Sequence, residues 1–563
     1  MNSRRMTYWP LVAAVIILWL AIAFLLYRSL STQDGHFVYT QDDAYIHMAI
    51  AKNLAAHGNW GVSAGEFQSA SSAPLWVLIV TCFYLIFGAN VITPFLLNIL
   101  FVTLVVVAAY FILRKQDLRP LFIFLTLLAL IFFASLAPLV MLGMEHSLQI
   151  LLTILFVYLS AVVLSSEERG SLSRNTKWLL ALTPFFVFLR YESLVIVGIV
   201  FLMLLLRKRW LLAASMLGLA ALPVVIFGVI SVANGALFLP NSVELKSSAP
   251  LFPLVAWLKT NIRYAYLPLK RLMDSPVFLN LGLASGLVLF LTVTKREVLK
   301  WNRALILNLI LIVAVFFHFQ NNTSPNYRYD AYLVSLGIIA VAIPLFWHLQ
   351  ERKWPDSSRG VVLLAIFSVP LALLFLTPFF NRGYVNHKVA PLETRRTYEQ
   401  HFFMSEFVKR FFTGKTVALN DIGAINYYAD IKSVDLWGLG TNEVAKERMQ
   451  IRADHPSADA YVLSKDQIDN ITKSEGTDIA MLYHEIFEIN GESHIPDNWV
   501  LVGRWLCYRY ERDYWDKVSF YAVNPAEAET LKKDLQEYSS ELPVYVIQQG
   551  MYTEGTDKPL PIS

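Results

Sequence analysis

The sequence predicts a polytopic α-helical membrane protein with about eleven transmembrane helices and a C-terminal soluble α/β domain. Three observations predict it. The chain of 563 residues is 56% hydrophobic and only 16% charged, far outside soluble-globular averages. Its apolar residues fall into runs long enough to cross a hydrocarbon core of ~30 Å. After about residue 380 those runs stop, and short apolar stretches alternate with polar helical patterns.

The first run, 9–30, follows Arg4 and Arg5, and no Ala-x-Ala-like cleavage site comes after it. It reads as a retained signal-anchor helix with its amino terminus in the cytoplasm. Further runs lie near 73–89, 91–113, 120–138, 146–165, 177–206, 210–232, 277–293, 303–319, 330–349 and 359–379. The run 177–206 is interrupted by Arg190, Tyr191 and Glu192, so it can also be two shorter segments. Trp9, Trp19, Trp76, Trp210 and Trp301 lie in or beside apolar runs, where an interfacial belt is expected.

The positive-inside bias orients the bundle. Arg207 to Arg209, Lys295 to Arg303 and Arg352 to Arg359 fall on the side of the amino terminus. Arg114, Lys115 and Arg119 fall on the other side and dissent. This topology places residues 31–72 and 234–276, and everything after about Phe380, outside the cytoplasm. The expected division is a membrane domain over 1–379 and an extracytoplasmic domain over 380–563, in a bacterial cytoplasmic membrane. Lys, Arg, Asp and Glu in that tail sum to −8 against +4 for the whole chain, so the membrane half is strongly basic. In the tail, a helix near 395–413 leads to a strand 416–420, a turn at Asp421 to Gly423 and a short helix to Tyr428. A strand 433–437, a helix 442–449 and a strand 460–464 follow.

Asp42 and Asp43 open the polar stretch after the first run. Two adjacent carboxylates at a membrane surface are costly unless water, a metal or a polar ligand compensates them. Adjacent residues point in different directions on any regular element. One can take a proton from a hydroxyl while the other orients a helix terminus or binds a metal. Residues 44–56 have helical spacing, with Ile46, Ala49, Ile50 and Leu54 on one face. That suits a helix lying along the interface, capped by one of the aspartates. The bland alternative is that both serve only as that cap.

Other charged groups are candidates by position. Glu145 and Arg190 to Glu192 sit within or at the ends of apolar runs, where an ionisable group marks a site or an internal packing pair. Lys246, Lys259, Arg263, Lys270 and Arg271 lie in the second outer segment and can meet an anion, or snorkel to headgroups. Arg328, Tyr329 and Asp330 stand at an outer helix end, where they can clamp a sugar or phosphate. Asp421 follows a strand, where α/β sheets place ligands, or it shapes a turn with Gly423. The two cysteines, Cys82 and Cys507, suggest neither a disulfide framework nor a metal site. The chain has no Walker loop, no Gly-x-Gly-x-x-Gly and no His-Glu-x-x-His, so nothing points to ATP, nicotinamide, structural zinc or nucleic acid.

Asp42-Asp43-Ala44-Tyr45-Ile46, then Ala51-Lys52-Asn53-Leu54, His57-Gly58, Gly65-Glu66 and Ser71-Ser72-Ala73-Pro74-Leu75-Trp76, resembles the first outer loop of GT-C glycosyltransferases. It is most similar to the branch with the actinobacterial cell-wall arabinofuranosyltransferases and their bacterial relatives. Gly143-Met144-Glu145-His146 resembles that family's Gly-(Leu/Met)-Glu-Thr, with His146 a departure. Arg190-Tyr191-Glu192 resembles Arg-Pro-Glu/Asp, with Tyr191 replacing Pro. Gly235, Leu239-Pro240-Asn241-Ser242 and Lys246 resemble a Gly…Leu-Pro-Asn-Thr…Ala-Lys segment. Asp421-Ile422-Gly423-Ala424, Tyr427 and Asp435-Leu436-Trp437-Gly438-Leu439 resemble the start of the family's soluble domain. The pieces are scattered in order along most of the chain. The Trp-Trp-Asp motif of oligosaccharyltransferases is absent.

The resemblance implies an inverting transfer of a sugar from a polyprenyl-phosphate donor to a glycan, lipid or protein acceptor on the outer face. It implies Asp42, and with it Asp43, as catalytic carboxylates. Lys246, Glu145, Asn241, Arg328, Tyr45 and His47 are then the substrate-binding candidates. A divalent cation (Mg or Mn) at Asp42 and Asp43 would help, although a pair of aspartates does not require one. The alternative is a transporter or flippase of lipid-linked sugars, which calls for mid-membrane charges and paired interrupted helices.

Overall fold

The computed structural model describes residues 7–166, 173–246, 267–294, 302–320, 327–351, 358–454, 462–489, 491–507, 517–543 and 546–550. Among the described residues, five helices are long and apolar enough to cross a bilayer: Trp9–Leu30, Ile92–Arg114, His146–Ser165, Trp210–Ala233 and Tyr327–Gln350. Shorter apolar helices join them, including Pro120–Phe133, Ser193–Leu206 and Arg303–Phe319. Leu211, Leu222 and Leu20 stay exposed on these helices, as lipid-facing side chains do. The chain is an integral membrane protein, with five such helices among the described residues against the eleven runs expected.

The path of the chain differs from the expected topology in one informative place. The run 73–89 becomes the helix Pro74–Phe87, which at 1.5 Å per residue is about 21 Å long and too short to cross. Both its ends lie beside the first outer loop. The Tyr39 hydroxyl donates to the Val91 carbonyl at 2.6 Å, and Phe37 and Phe95 stack edge to face. The helix Ile92–Arg114 therefore starts at the loop end and delivers Arg114 to the end that holds the amino terminus. There the Arg114 guanidinium stands 5.8 Å from the Tyr8 ring centre, and the Tyr110 hydroxyl donates to the Thr7 carbonyl. The dissenting arginine thus joins the majority, because a run read as a crossing is not one.

The run 177–206 is two helices, Arg174–Leu189 and Ser193–Leu206, broken at Arg190 to Glu192. The expected boundary at 379–380 falls inside a continuous helix, Ser358–Thr397, which carries the chain into the tail through a π turn at Tyr398–Phe402.

The tail holds a six-stranded mixed sheet. Its strands are β1 (Thr416–Leu419), β2 (Lys432–Asp435), β3 (Ile479–Tyr483), β6 (Val500–Cys507), β7 (Lys517–Ala522) and β8 (Val546–Gly550), while β4 (Glu488–Ile489) and β5 (Glu492–Ser493) form a separate hairpin. The order is β2-β1-β3-β7-β6-β8. β1 runs parallel to β2 and β3, and the remaining pairs are antiparallel. The residues after β1 and β2 thus emerge at one end of the sheet, and that end faces the membrane domain. The strand expected at 460–464 is not there in its described part. Ser464 instead opens the helix Lys465–Ser474 with a capping box to Gln467, a local signal that outcompetes the short apolar run.

Candidate functional site

The helix Asp43–His57 is buried on nearly every side: Ala44 to Ala51 and Asn53 are all inside. It does not lie along the interface, as its spacing suggested. It packs between Pro74–Phe87 and the tail helix Gly423–Tyr428, and Asp42 just before it and Lys52 on it bond the tail. Asp42 accepts from the Gly423 and Ala424 backbone N–H groups at 2.7 Å each. Lys52 donates to the Asn426 and Tyr427 carbonyls at 3.2 and 2.9 Å. The loop thus grips the tail helix by both ends, with the anion at its amino end and the cation at its carboxyl end, as the helix dipole favours. Gly423 makes the grip possible. A Cβ there would come within 2.1 Å of the Asp42 carbonyl oxygen and 2.8 Å of its carboxylate.

The two aspartates part company at this point. Asp42 makes no capping bond to its own helix. Burial, with Asp421 adding to it, pushes its carboxyl up to about 6 against the pull of His401 and the two N–H groups. Asp43 points instead into a narrow polar cleft, together with His47, Ser72, Arg190, Ser242 and Tyr329, and the tail contributes Leu439. The Asp43 carboxylate accepts from the Arg328 guanidinium at 2.8 Å. Arg328 also donates to the side-chain oxygen of Gln41 and to the Tyr329 hydroxyl, and its guanidinium stands 4.7 Å from the Tyr329 ring centre.

Beneath the cleft, Glu145 is fully buried and pairs with Arg190 at 2.7 Å. Arg190 also holds Glu192 at 2.5 Å and the Ser72 hydroxyl at 3.2 Å. His47 faces Glu145 at 3.6 Å through Nε2 and meets the Ser71 hydroxyl at 2.9 Å through Nδ1. Burial alone would raise the Glu145 carboxyl, but the neighbouring His146, Arg190 and His47 hold it well below the usual carboxylate range. The break at Arg190 to Glu192 follows from this network, since the Arg190 backbone is extended and its side chain is drawn to Glu145.

Of the sequence candidates, Asp43, His47, Glu145 and Arg328 come together. Tyr45 does not join them: it is fully buried against Tyr39, Tyr427 and Tyr428, and its hydroxyl accepts from the Tyr39 N–H. Asn241 is buried and fastens the second outer segment to the tail, donating to the Leu439 carbonyl and the Asn442 side chain. Lys246 ends the short helix Asn241–Lys246. Its side chain lies outside the described residues, as do Lys259 and Arg263. Lys270 is exposed, and Arg271 donates to the Phe319 carbonyl. Asp421 does not shape the turn: its carboxylate bonds His401 at 2.8 Å. His401 was not anticipated, because a lone histidine at the end of a helical run carries no spacing signal.

Asp42 and Asp43 do not converge on a shared cation, since they face opposite ways. Among the described residues, the ligand atoms that do converge belong to Asp42, His401 and Asp421, all within 4.8 Å of one another.

A family model described as "Domain of unknown function (DUF8728)" matches residues 391–521. No curated protein matches the chain. Among solved structures the chain is similar to ArnT from Cupriavidus metallidurans bound to undecaprenyl phosphate, at 14% identity and a TM-score of 0.49, over 90% of this chain and 98% of that one. It is also similar to the Archaeoglobus fulgidus oligosaccharyltransferase in complex with Zn and sulfate, at 11% identity and 0.47, over 86% and 72%. A third similar structure is the arabinofuranosyltransferase AftD from Mycobacteria, at 12% identity and 0.46, over 90% of this chain and 41% of that one.

Proposed function

We propose that the chain is a membrane glycosyltransferase of the GT-C kind. It would move a sugar from a polyprenyl-phosphate donor to a hydroxyl of an envelope glycan, lipid or protein on the outer face, with inversion at the anomeric carbon. The observation that carries this reading is the Asp43 carboxylate, held by Arg328 at 2.8 Å at a cleft that also contains Arg190, His47 and Tyr329.

In this reading Asp43 is the general base. It takes the proton of the acceptor hydroxyl as that oxygen attacks the anomeric carbon, and the bond to the phosphate oxygen breaks on the opposite face. The leaving group departs as an anion, so no general acid is needed. Arg328 orients the Asp43 carboxylate, and Arg190, which lines the cleft, and Lys246, from the motif, are assigned to the departing phosphate. Asp42 is assigned to docking the tail. The cleft holds only about 20 Å³, room for about one water. A sugar therefore enters only after a wall moves, and Leu439 is the part of that wall contributed by the tail.

The test is a transfer assay on detergent-purified protein with a panel of radiolabelled polyprenyl-phosphate sugars. Asp43→Asn should lower turnover by about 10²–10⁴-fold, with donor binding retained. Full activity in Asp43→Asn would remove Asp43 from the role. A wild type that turns over no donor, yet moves one across proteoliposomes, would favour the carrier reading.

A further inference from the structure

The cluster Asp42, His401 and Asp421 has a composition that its docking role alone does not require. Its members come from three distant segments: the first outer loop, the π turn that ends the long helix, and the turn after β1. Asp42 already satisfies the tail helix with two N–H bonds. His401 Nε2 meets the Asp421 carboxylate at 2.8 Å, yet His401 Nδ1 is buried with no hydrogen-bond partner among the described residues. Nε2 is thus the nitrogen that faces the carboxylates.

We propose that Asp42, His401 and Asp421 form a divalent-cation site that pins the tail domain onto the first outer loop. One imidazole nitrogen and two carboxylate oxygens are a donor set for a zinc- or manganese-class ion, with positions left open for water. Ligands at about 2.0–2.2 Å from one ion span up to about 4.4 Å. Around a tetrahedral ion such ligands lie about 3.3–3.6 Å apart, so the three ligand atoms, now within 4.8 Å of one another, close on an ion with side-chain movements of up to about 1.5 Å. An ion would also neutralise two carboxylates brought together by a single histidine. Because Asp42 is joined to Asp43 by one peptide unit, the ion would also hold Asp43 in place. The site is a clamp, separate from the cleft, and does not depend on the sugar-transfer reading.

The experiment uses the full chain in detergent, stripped with a chelator and desalted. Metal content after incubation with ZnCl₂ or MnCl₂ is read by elemental analysis, and thermal stability by a melting scan, for wild type, Asp421→Asn, His401→Gln and Asp43→Asn. The expected result is about one ion per chain and a rise in melting temperature for wild type and Asp43→Asn. Both would be lost in Asp421→Asn and His401→Gln, which should still elute as single species. Wild type that retains no ion overturns the proposal, as does His401→Gln that binds and responds like wild type. The readout is metal and melting rather than turnover, so its failure is distinct from failure of the glycosyltransferase reading.

Discussion

Glu145→Gln tests the buried network beneath the cleft. The substitution keeps the volume and one acceptor oxygen but removes the charge that faces Arg190 at 2.7 Å. Breaking a buried ion pair by neutralising one partner costs about 3–5 kcal/mol, because the other charge is left uncompensated. Arg190 retains Glu192 at 2.5 Å, and the Glu192 side chain is 38% exposed, so part of the loss is made good. The expected destabilisation is therefore about 2–3 kcal/mol, below the usual range for a stranded charge. The sign with pH follows from the depressed Glu145 carboxyl. A depressed acid adds stability above its unfolded pKa, and that stability is lost as pH falls through the folded value. The wild type should therefore lose stability in acid more steeply than Glu145→Gln, and the two curves should converge at low pH. Melting scans of purified protein at pH 7 and at stepwise lower pH read both effects. Transfer should fall as well, since Arg190 lines the cleft. A Glu145→Gln protein that melts like wild type at pH 7, with an unchanged acid limb, would refute the argument.

Asp42→Ala removes both acceptors and strands the N–H groups of Gly423 and Ala424, at about 1–3 kcal/mol. Hydrogen exchange in 423–428 should accelerate while the rest of the sheet stays protected, and an unchanged exchange pattern would contradict the docking role. Gly423→Ala forces a Cβ to within 2.1 Å of the Asp42 carbonyl, so backbone must yield. The expected cost is about 1–3 kcal/mol, visible as a lower melting temperature and easier proteolysis between the two domains. Lys52→Met removes the donor at the other end of the same helix and should give a smaller shift than Asp42→Ala. A larger one would mean that the grip is centred on the wrong end.

The membrane class, the tail and several local elements around the cleft were legible because they depend on local composition and short motifs. The helix Asp43–His57, the break at Arg190 to Glu192 and the strands β1 and β2 were all placed within a few residues. Misreadings arose where a tertiary partner decides the outcome. Pro74–Phe87 is as apolar as a crossing helix, and tertiary contacts, Tyr39 to Val91 and Phe37 to Phe95, reveal that both ends share one side. The spacing of 44–56 suggested an amphipathic helix at the interface, but the helix is buried on nearly every side, with His47 on Glu145 and Ser71 and Lys52 on the tail helix. The roles of Asp42 and Asp43 were indistinguishable in sequence. Their separation depends on Gly423 and Ala424 in one direction and Arg328 in the other, at separations of hundreds of residues. Tyr45 was chosen for its place in a motif, and the motif is met by packing against Tyr427 and Tyr428.

If Asp43 is the base, as proposed, that separation makes the tail part of the active-site architecture. Consecutive Cα atoms are about 3.8 Å apart, so a shift of Asp42 with the tail helix is transmitted to Asp43 almost undamped. Misplacing a reacting group by about 1 Å can cost about 10²-fold in rate. Leu439, a tail residue, is also a wall of the cleft, and its carbonyl is held by Asn241 at 3.2 Å. Asn241→Ala therefore disturbs the wall without altering either aspartate or either arginine. If the docked tail sets the geometry of the base, this variant should lower kcat several-fold and leave donor affinity close to wild type. If the wall only excludes water, donor affinity should change and kcat should not. Equal values of both for Asn241→Ala and wild type would show that the contact at Leu439 has no part in catalysis, and the role of the tail would then rest on the grip around Gly423 alone.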